Sequence, residues 1–181
     1  LQTLIHCPLF IPKLLQQKQL TNNETLFTNH FLNICYQMKK ATNEIDITPF
    51  KKFLGSKYKL FEGSKQNDAV EFCRKLLENI STELNEKKNN NLPFVELTNS
   101  FSKPKRQRYE ISLNYHRKRE KSIITDLFYL FIGKTLRCQC GQESYVFNEY
   151  LDIPLQIPDN INTIIINELI RNFFKIEVTS H

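Results

Sequence analysis

No apolar run in this chain of 181 residues approaches the roughly 20 that a membrane helix needs, so no membrane partner is expected. A targeting segment is missing as well. The opening LQTLIHCPLF is apolar from its first residue, has no Met and lacks a basic start, so it reads like a cut edge. The cysteines, Cys7, Cys35, Cys73, Cys138 and Cys140, are odd in number with only one close pair, which does not suit a disulfide framework. A reducing, intracellular setting, cytoplasm or nucleus, is expected instead. Internal repeats are absent, and the low-complexity sequence is limited to KKNNN.

What is there fits a globular class: 40% hydrophobic and 24% charged residues, in a length suited to one domain or a piece of a larger one. The net charge of +6 sits in one place. Between Lys103 and Lys121 eight basic residues face two acids, which accounts for the whole excess; the rest balances at 17 of each sign. Charge confined to one segment argues against a whole-surface nucleic-acid footprint. It reads as a solvated loop, or else as a nuclear-import or polyanion-binding patch.

The first half is helical in pattern. Leu1 to Ile5 continues a helix, Pro8 to Leu15 makes a short second one, and Leu26 to Lys39 a third. Pro49 opens a short helix through Phe53. From Ala69, small or apolar residues at Ala69, Phe72, Cys73, Leu76, Leu77, Ile80 and Leu84 draw one stripe down a longer helix. Residues 87–121 read as a basic insert or long loop with strand candidates at Phe94 to Leu97 and Tyr109 to Leu113. After the apolar run SIITDLFYLFIG come two strands, Lys134 to Cys138 and Tyr145 to Ile157. In the second, Leu151, Ile153, Leu155 and Ile157 form one apolar face. A last amphipathic helix spans Ile161 to Phe174.

Asp68 and Glu71 lie off the stripe of the long helix, on a common face near its start. They suit a capping box that satisfies orphan N–H groups. They equally suit a clamp, because two carboxylates at the positive end of a helix dipole stay ionised and accept forked hydrogen bonds from an arginine. Both readings can hold at once. Cys35 and Cys73 fall on apolar stripes and read as core residues.

Three motifs carry a resemblance. Gln66, Asn67, Asp68, Ala69, Glu71 and Phe72 match, with one conservative change, a Gln-Gln-Asp-Ala-x-Glu-Phe box; Leu1-Gln2-Thr3-Leu4 is similar to the tail of a cysteine box; and SIITDLF, a cysteine knuckle, Ser144 and YLDIPLQIP follow in order. Together they resemble the ubiquitin-specific proteases, papain-like cysteine deubiquitinases that cut after the C-terminal glycine of ubiquitin. The resemblance implies an α+β fold, partial here: a helical thumb over 1–86, the basic insert over 87–121, and the start of β-rich fingers and palm over 122–181. It implies ubiquitin and ubiquitinated proteins as partners, with Asp68, Glu71 and Asn67 gripping the arginine-bearing ubiquitin tail.

The same resemblance places the family's nucleophilic cysteine a few residues before Leu1 and its general-base histidine in a later C-terminal region. Cys7 follows Leu4, on the wrong side of the box, and none of His6, His30, His116 and His181 has a Gly-His-Tyr-like context. A thiolate needs a histidine in reach and a group orienting it, so no catalytic residue is expected in this chain. The chain is then either a piece of a hydrolase or a ubiquitin-binding pseudoenzyme; a nucleic-acid module using 103–121 is the rival from another class. Many relatives hold zinc with two Cys-x-x-Cys pairs. Cys138 and Cys140 are one residue closer and supply at most half a site, so no cofactor is expected.

Overall fold

The computed structural model describes residues 1–18, 27–41, 43–88, 90, 92–93, 103–138, 141, 143–159, 163 and 165–175. Among the described residues eight α-helices and one antiparallel hairpin follow in the order α1 Gln2–Ile5, α2 Phe10–Lys18, α3 Phe27–Lys40, α4 Thr48–Lys57, α5 Ala69–Leu84, α6 Lys105–Arg119, α7 Ile123–Leu127, β1 Leu130–Arg137, β2 Glu143–Tyr150 and α8 Ile166–Phe173. A short 3₁₀ turn, Lys59–Phe61, links α4 to the approach of α5.

The core gathers around α5. Its stripe of Leu76, Leu77, Ile80 and Leu84 is buried with Phe10, Ile11 and Leu14 of α2, Phe27, Phe31, Ile34 and Cys35 of α3, and Ile123 and Ile124 of α7. Apolar side chains at three- and four-residue spacing make these helices amphipathic, and burying the stripes together is what holds them. Cys35 is a core residue as its spacing implies, and burial pushes its thiol up to about 11. Cys73 is half-buried and packs at the edge of the same cluster.

Polar contacts fix how the helices meet. The Glu83 carboxylate accepts from Phe27 N at 2.6 Å, and from Thr28 N and Thr28 Oγ1 at 2.8 Å each, so α5 caps the start of α3 across 55 residues of sequence. Gln17 joins α2 to both neighbours, donating to Leu84 O at 3.2 Å and accepting from Ile123 N at 2.9 Å. Ser122 and Thr125 form a reciprocal capping box at α7.

The strand expected at Tyr109 to Leu113 is instead the middle of α6. The alternation in YEISL is local. Over a longer stretch the sheltered positions include Arg108, Tyr109, Ser112, Leu113 and His116, which is a helical spacing, while Ile111 points outward. The period is hard to see because its two most buried members are Arg108 and His116, not aliphatics. The basic run is therefore not simply a solvated loop: Arg108 is 3% exposed and lies over the Tyr145 ring. The candidate at Phe94 to Leu97 lies outside the described residues.

The hairpin pairs Leu130 with Tyr150 and Arg137 with Glu143. It begins four residues earlier than the expected Lys134, and the second strand ends at Tyr150 rather than Ile157. Pro154 cannot donate to a ladder. Among the described residues no strand lies beside 151–157, so the expected apolar face is not formed: Leu151 packs on the helical core, while Ile157 is 70% exposed. At the hairpin's centre Gly133 faces Phe147, whose ring lies where a side chain at 133 would go. The final helix starts at Ile166, and none of its residues is buried.

Candidate functional site

The start of α5 presents the conspicuous polar group. Phe61 and Phe72 meet edge to face at 5.8 Å, seating the incoming loop on the helix, and Gly63 turns that loop with φ +78°. Asn67, half-buried, donates from Nδ2 to Lys65 O at 3.1 Å and so braces the loop. Asp68 is extended at the N-cap, and its Oδ1 accepts from Val70 N at 2.7 Å and Glu71 N at 2.9 Å.

The cap reading of Asp68 thus holds in the geometry. The reciprocal half of a capping box does not: the Glu71 side chain makes no hydrogen bond among the described residues and stays exposed. Asp68, Val70 and Glu71 form an exposed edge with one carboxylate engaged in capping and one uncommitted. Both lie at the positive end of a 16-residue helix, which favours ionised carboxylates.

One turn beyond Glu71 stands Arg74, with Glu78 also within helical reach of it. The structure pairs it elsewhere. Its Nε donates to Asp152 Oδ1 at 2.7 Å and its Nη2 to Oδ2 at 2.6 Å, while Glu78 accepts from Lys75 at 3.0 Å. The hydrogen bonds to Asp152, then its charge, raise Arg74, and Asp68 adds to this; the same contact lowers the Asp152 carboxyl. Asp152 belongs to YLDIPLQIP, so the ion pair ties the acidic edge of α5 to the chain leaving the hairpin. Sequence reading misses this pair: Asp152 lies in YLDIPLQIP, but Arg74 stands two residues beyond the Gln66–Phe72 box.

Cys138 is exposed at the hairpin turn, where Gly141 N donates to Cys138 O at 2.9 Å. Cys140 lies outside the described residues. Among the described residues Cys138 joins no group of three metal-ligating side chains.

A helical layer built on one long capped helix, joined to a two-stranded antiparallel hairpin, is a mixed α+β architecture of the kind a partial papain-like domain provides. Comparison with known sequences agrees. The family model described as ubiquitin carboxyl-terminal hydrolase matches residues 1–177, and the chain belongs to that family. It is 30% identical over 120 residues to ubiquitin carboxyl-terminal hydrolase 9 of Arabidopsis thaliana, covering 66% of this chain and 13% of that protein. With ubiquitin carboxyl-terminal hydrolase 4 of Saccharomyces cerevisiae it shares 28% over 167 residues, covering 84% and 18%. With ubiquitin carboxyl-terminal hydrolase 19 of Homo sapiens it shares 32% over 109 residues, covering 60% and 8%. The chain therefore spans less than a fifth of the length of each of these relatives.

Proposed function

We propose that this chain is the substrate-gripping part of a thiol-dependent deubiquitinase, and that Asp68 and Glu71 bind the arginine-bearing C-terminal tail of ubiquitin. The observation that carries this reading is the exposed edge of α5: Asp68 ordered by capping, Glu71 uncommitted, and the nearby Arg74 drawn away to Asp152. An arginine left beside Glu71 would neutralise the acid that the tail needs. Asn67 shapes the entrance from Lys65 and acts on the tail through Asp68. In the parent reaction a cysteine thiolate attacks the carbonyl after the last glycine of ubiquitin, giving a thioester that water hydrolyses.

No residue of this chain is assigned as nucleophile or base, and by itself the chain is expected to bind ubiquitin without cleaving it. The odd number of cysteines with only one close pair supports an intracellular setting, cytoplasm or nucleus. The basic helix gives the nucleic-acid reading little support, since Arg108 is buried, Arg106 pairs with Glu110 at 3.1 Å and Lys121 with Glu86 at 2.7 Å.

The test is ubiquitin binding by the 181-residue chain, with a ubiquitin carrying a C-terminal fluorophore as turnover control. Saturable binding that weakens in Asp68→Asn/Glu71→Gln supports the proposal. Binding unchanged in that variant overturns the grip, and turnover abolished by Cys7→Ser overturns the reading that catalysis lies outside this chain.

A further inference from the structure

Where α6 ends against β2, three side chains that the ubiquitin-gripping reading does not use come together. His116 and Glu120 are four residues apart at the last turn of α6, so they project to one side, and Glu149 reaches them from the strand. One nitrogen of His116 and one carboxylate oxygen from each glutamate lie within 4.8 Å of one another. We propose that these three residues hold a divalent cation that fastens α6 to the hairpin.

The first argument is a carboxylate without a partner among the described residues. His116 Nδ1 lies 2.9 Å from Glu149 Oε2, and one imidazole proton satisfies one carboxylate. The carboxylate of Glu120, half-buried beside them, makes no hydrogen bond or ion pair among the described residues. Glu149 thus has a partner and Glu120 has none, and a divalent cation placed between them engages both carboxylates at once.

The second argument is that the imidazole is held for the role. His116 is 9% exposed, and its ring stacks with Tyr129 at 6.2 Å and Phe131 at 5.8 Å. Its Nε2 has no hydrogen-bond partner among the described residues and is open to the proton that Nδ1 shares with Glu149 until a cation takes its place. Nδ1 is thus able to pass its proton to Nε2 and offer a lone pair to the cation. Metal–ligand bonds of about 2.0–2.2 Å set neighbouring donors roughly 3–3.5 Å apart. The Nδ1 to Oε2 contact is already close to that, and rotation of the carboxylates closes the rest. The Glu149 side chain is 37% exposed, which gives an ion a way in.

One imidazole nitrogen with two carboxylate oxygens suits zinc or manganese, since magnesium and calcium favour all-oxygen shells and cuprous ions favour sulfur. Three protein donors leave a position for water. The site uses neither turn cysteine.

The experiment titrates the metal-free 181-residue chain with Zn²⁺, read by calorimetry and thermal unfolding, and with Co²⁺, read by visible absorption. The expected result is one saturable site, and a Tm rise of about 5–10 °C at a hundredfold excess over Kd. Cobalt is expected to show d–d bands without a thiolate charge-transfer band. Glu120→Gln, which breaks no existing contact, is expected to weaken binding at least tenfold while leaving the metal-free Tm unchanged. Glu149→Gln is expected to weaken binding and lower the metal-free Tm as well. Absent saturable binding overturns the proposal. So does binding that is unchanged in Glu120→Gln, or that is lost in Cys138→Ser/Cys140→Ser.

Discussion

Arg74 and Asp152, 78 residues apart, meet through two parallel hydrogen bonds of 2.7 and 2.6 Å, joining α5 to the chain that leaves the hairpin. Both side chains are partly open to solvent, 49% and 34% exposed, so the charge attraction is screened. A double-mutant cycle with Arg74→Ala and Asp152→Asn is expected to give a coupling of about 0.5–1 kcal/mol in urea unfolding. The contact lowers the folded-state Asp152 carboxyl below its usual range. Its stabilisation is then fully present above the unfolded aspartate value of about 3.9 and lost as pH falls through the lower folded value. The coupling is therefore expected to persist at pH 6 and shrink in strong acid. A coupling that grows on acidification contradicts this assignment.

The Glu83 cap is the contact whose loss is expected to cost most for a single carboxylate. Glu83→Ala strands Phe27 N, Thr28 N and Thr28 Oγ1 on two residues that are fully buried. Such orphaned donors cost about 1–3 kcal/mol, and Glu83→Gln, which keeps an acceptor, is expected to recover part of it. Chemical denaturation measures both variants. A loss below about 0.3 kcal/mol for Glu83→Ala would show that water replaces the cap.

Gly133 is small for a packing reason. A Cβ there would lie 2.6 Å from Phe147 Cε1 and 2.8 Å from Cδ1, inside van der Waals contact. Phe147 also packs edge-on with Tyr109 of α6 at 5.6 Å, so the ring cannot swing away without loosening the helix. Gly133→Ala is expected to destabilise by about 1–3 kcal/mol, with Phe147→Leu relieving part of the penalty in the double variant. Strictly additive losses would mean that the ring is not the obstacle.

The helices α2, α3 and α5 are legible in the sequence because Leu, Ile and Phe mark their buried stripes at regular spacing. α6 is not, because its buried face rests on Arg108 and His116, which a hydrophobic pattern scores as solvent-facing. The second strand reads too long for a related reason. Alternation from Leu151 to Ile157 resembles a pleat, yet a strand needs a partner, and the chain bends at Leu151 and Asp152, where Arg74 takes the Asp152 side chain. Asp68 is legible as a cap because capping is local. The Arg74–Asp152 and His116–Glu149 pairs are not, since long-range pairing leaves no periodic trace.

The grip of Asp68 and Glu71 is separable from capping by a cycle across the interface. If the two acids serve the helix alone, Asp68→Asn/Glu71→Gln lowers stability only slightly, because Asn still caps well, and leaves ubiquitin affinity nearly unchanged. If they hold arginines of the ubiquitin tail, the loss appears in binding. Charge-assisted hydrogen bonds contribute roughly 1.5–3 kcal/mol each, so the double variant is expected to bind ubiquitin at least tenfold more weakly. Ubiquitin with its tail arginines changed to glutamine is expected to bind the unaltered chain comparably weakly. Combining the two changes is then expected to add little further loss, because each removes the same contact. Raising salt should weaken the unaltered pair more than the doubly altered one, since only the former depends on exposed charge. Fully additive losses across that cycle, with equal salt dependence, would assign both carboxylates to the helix alone.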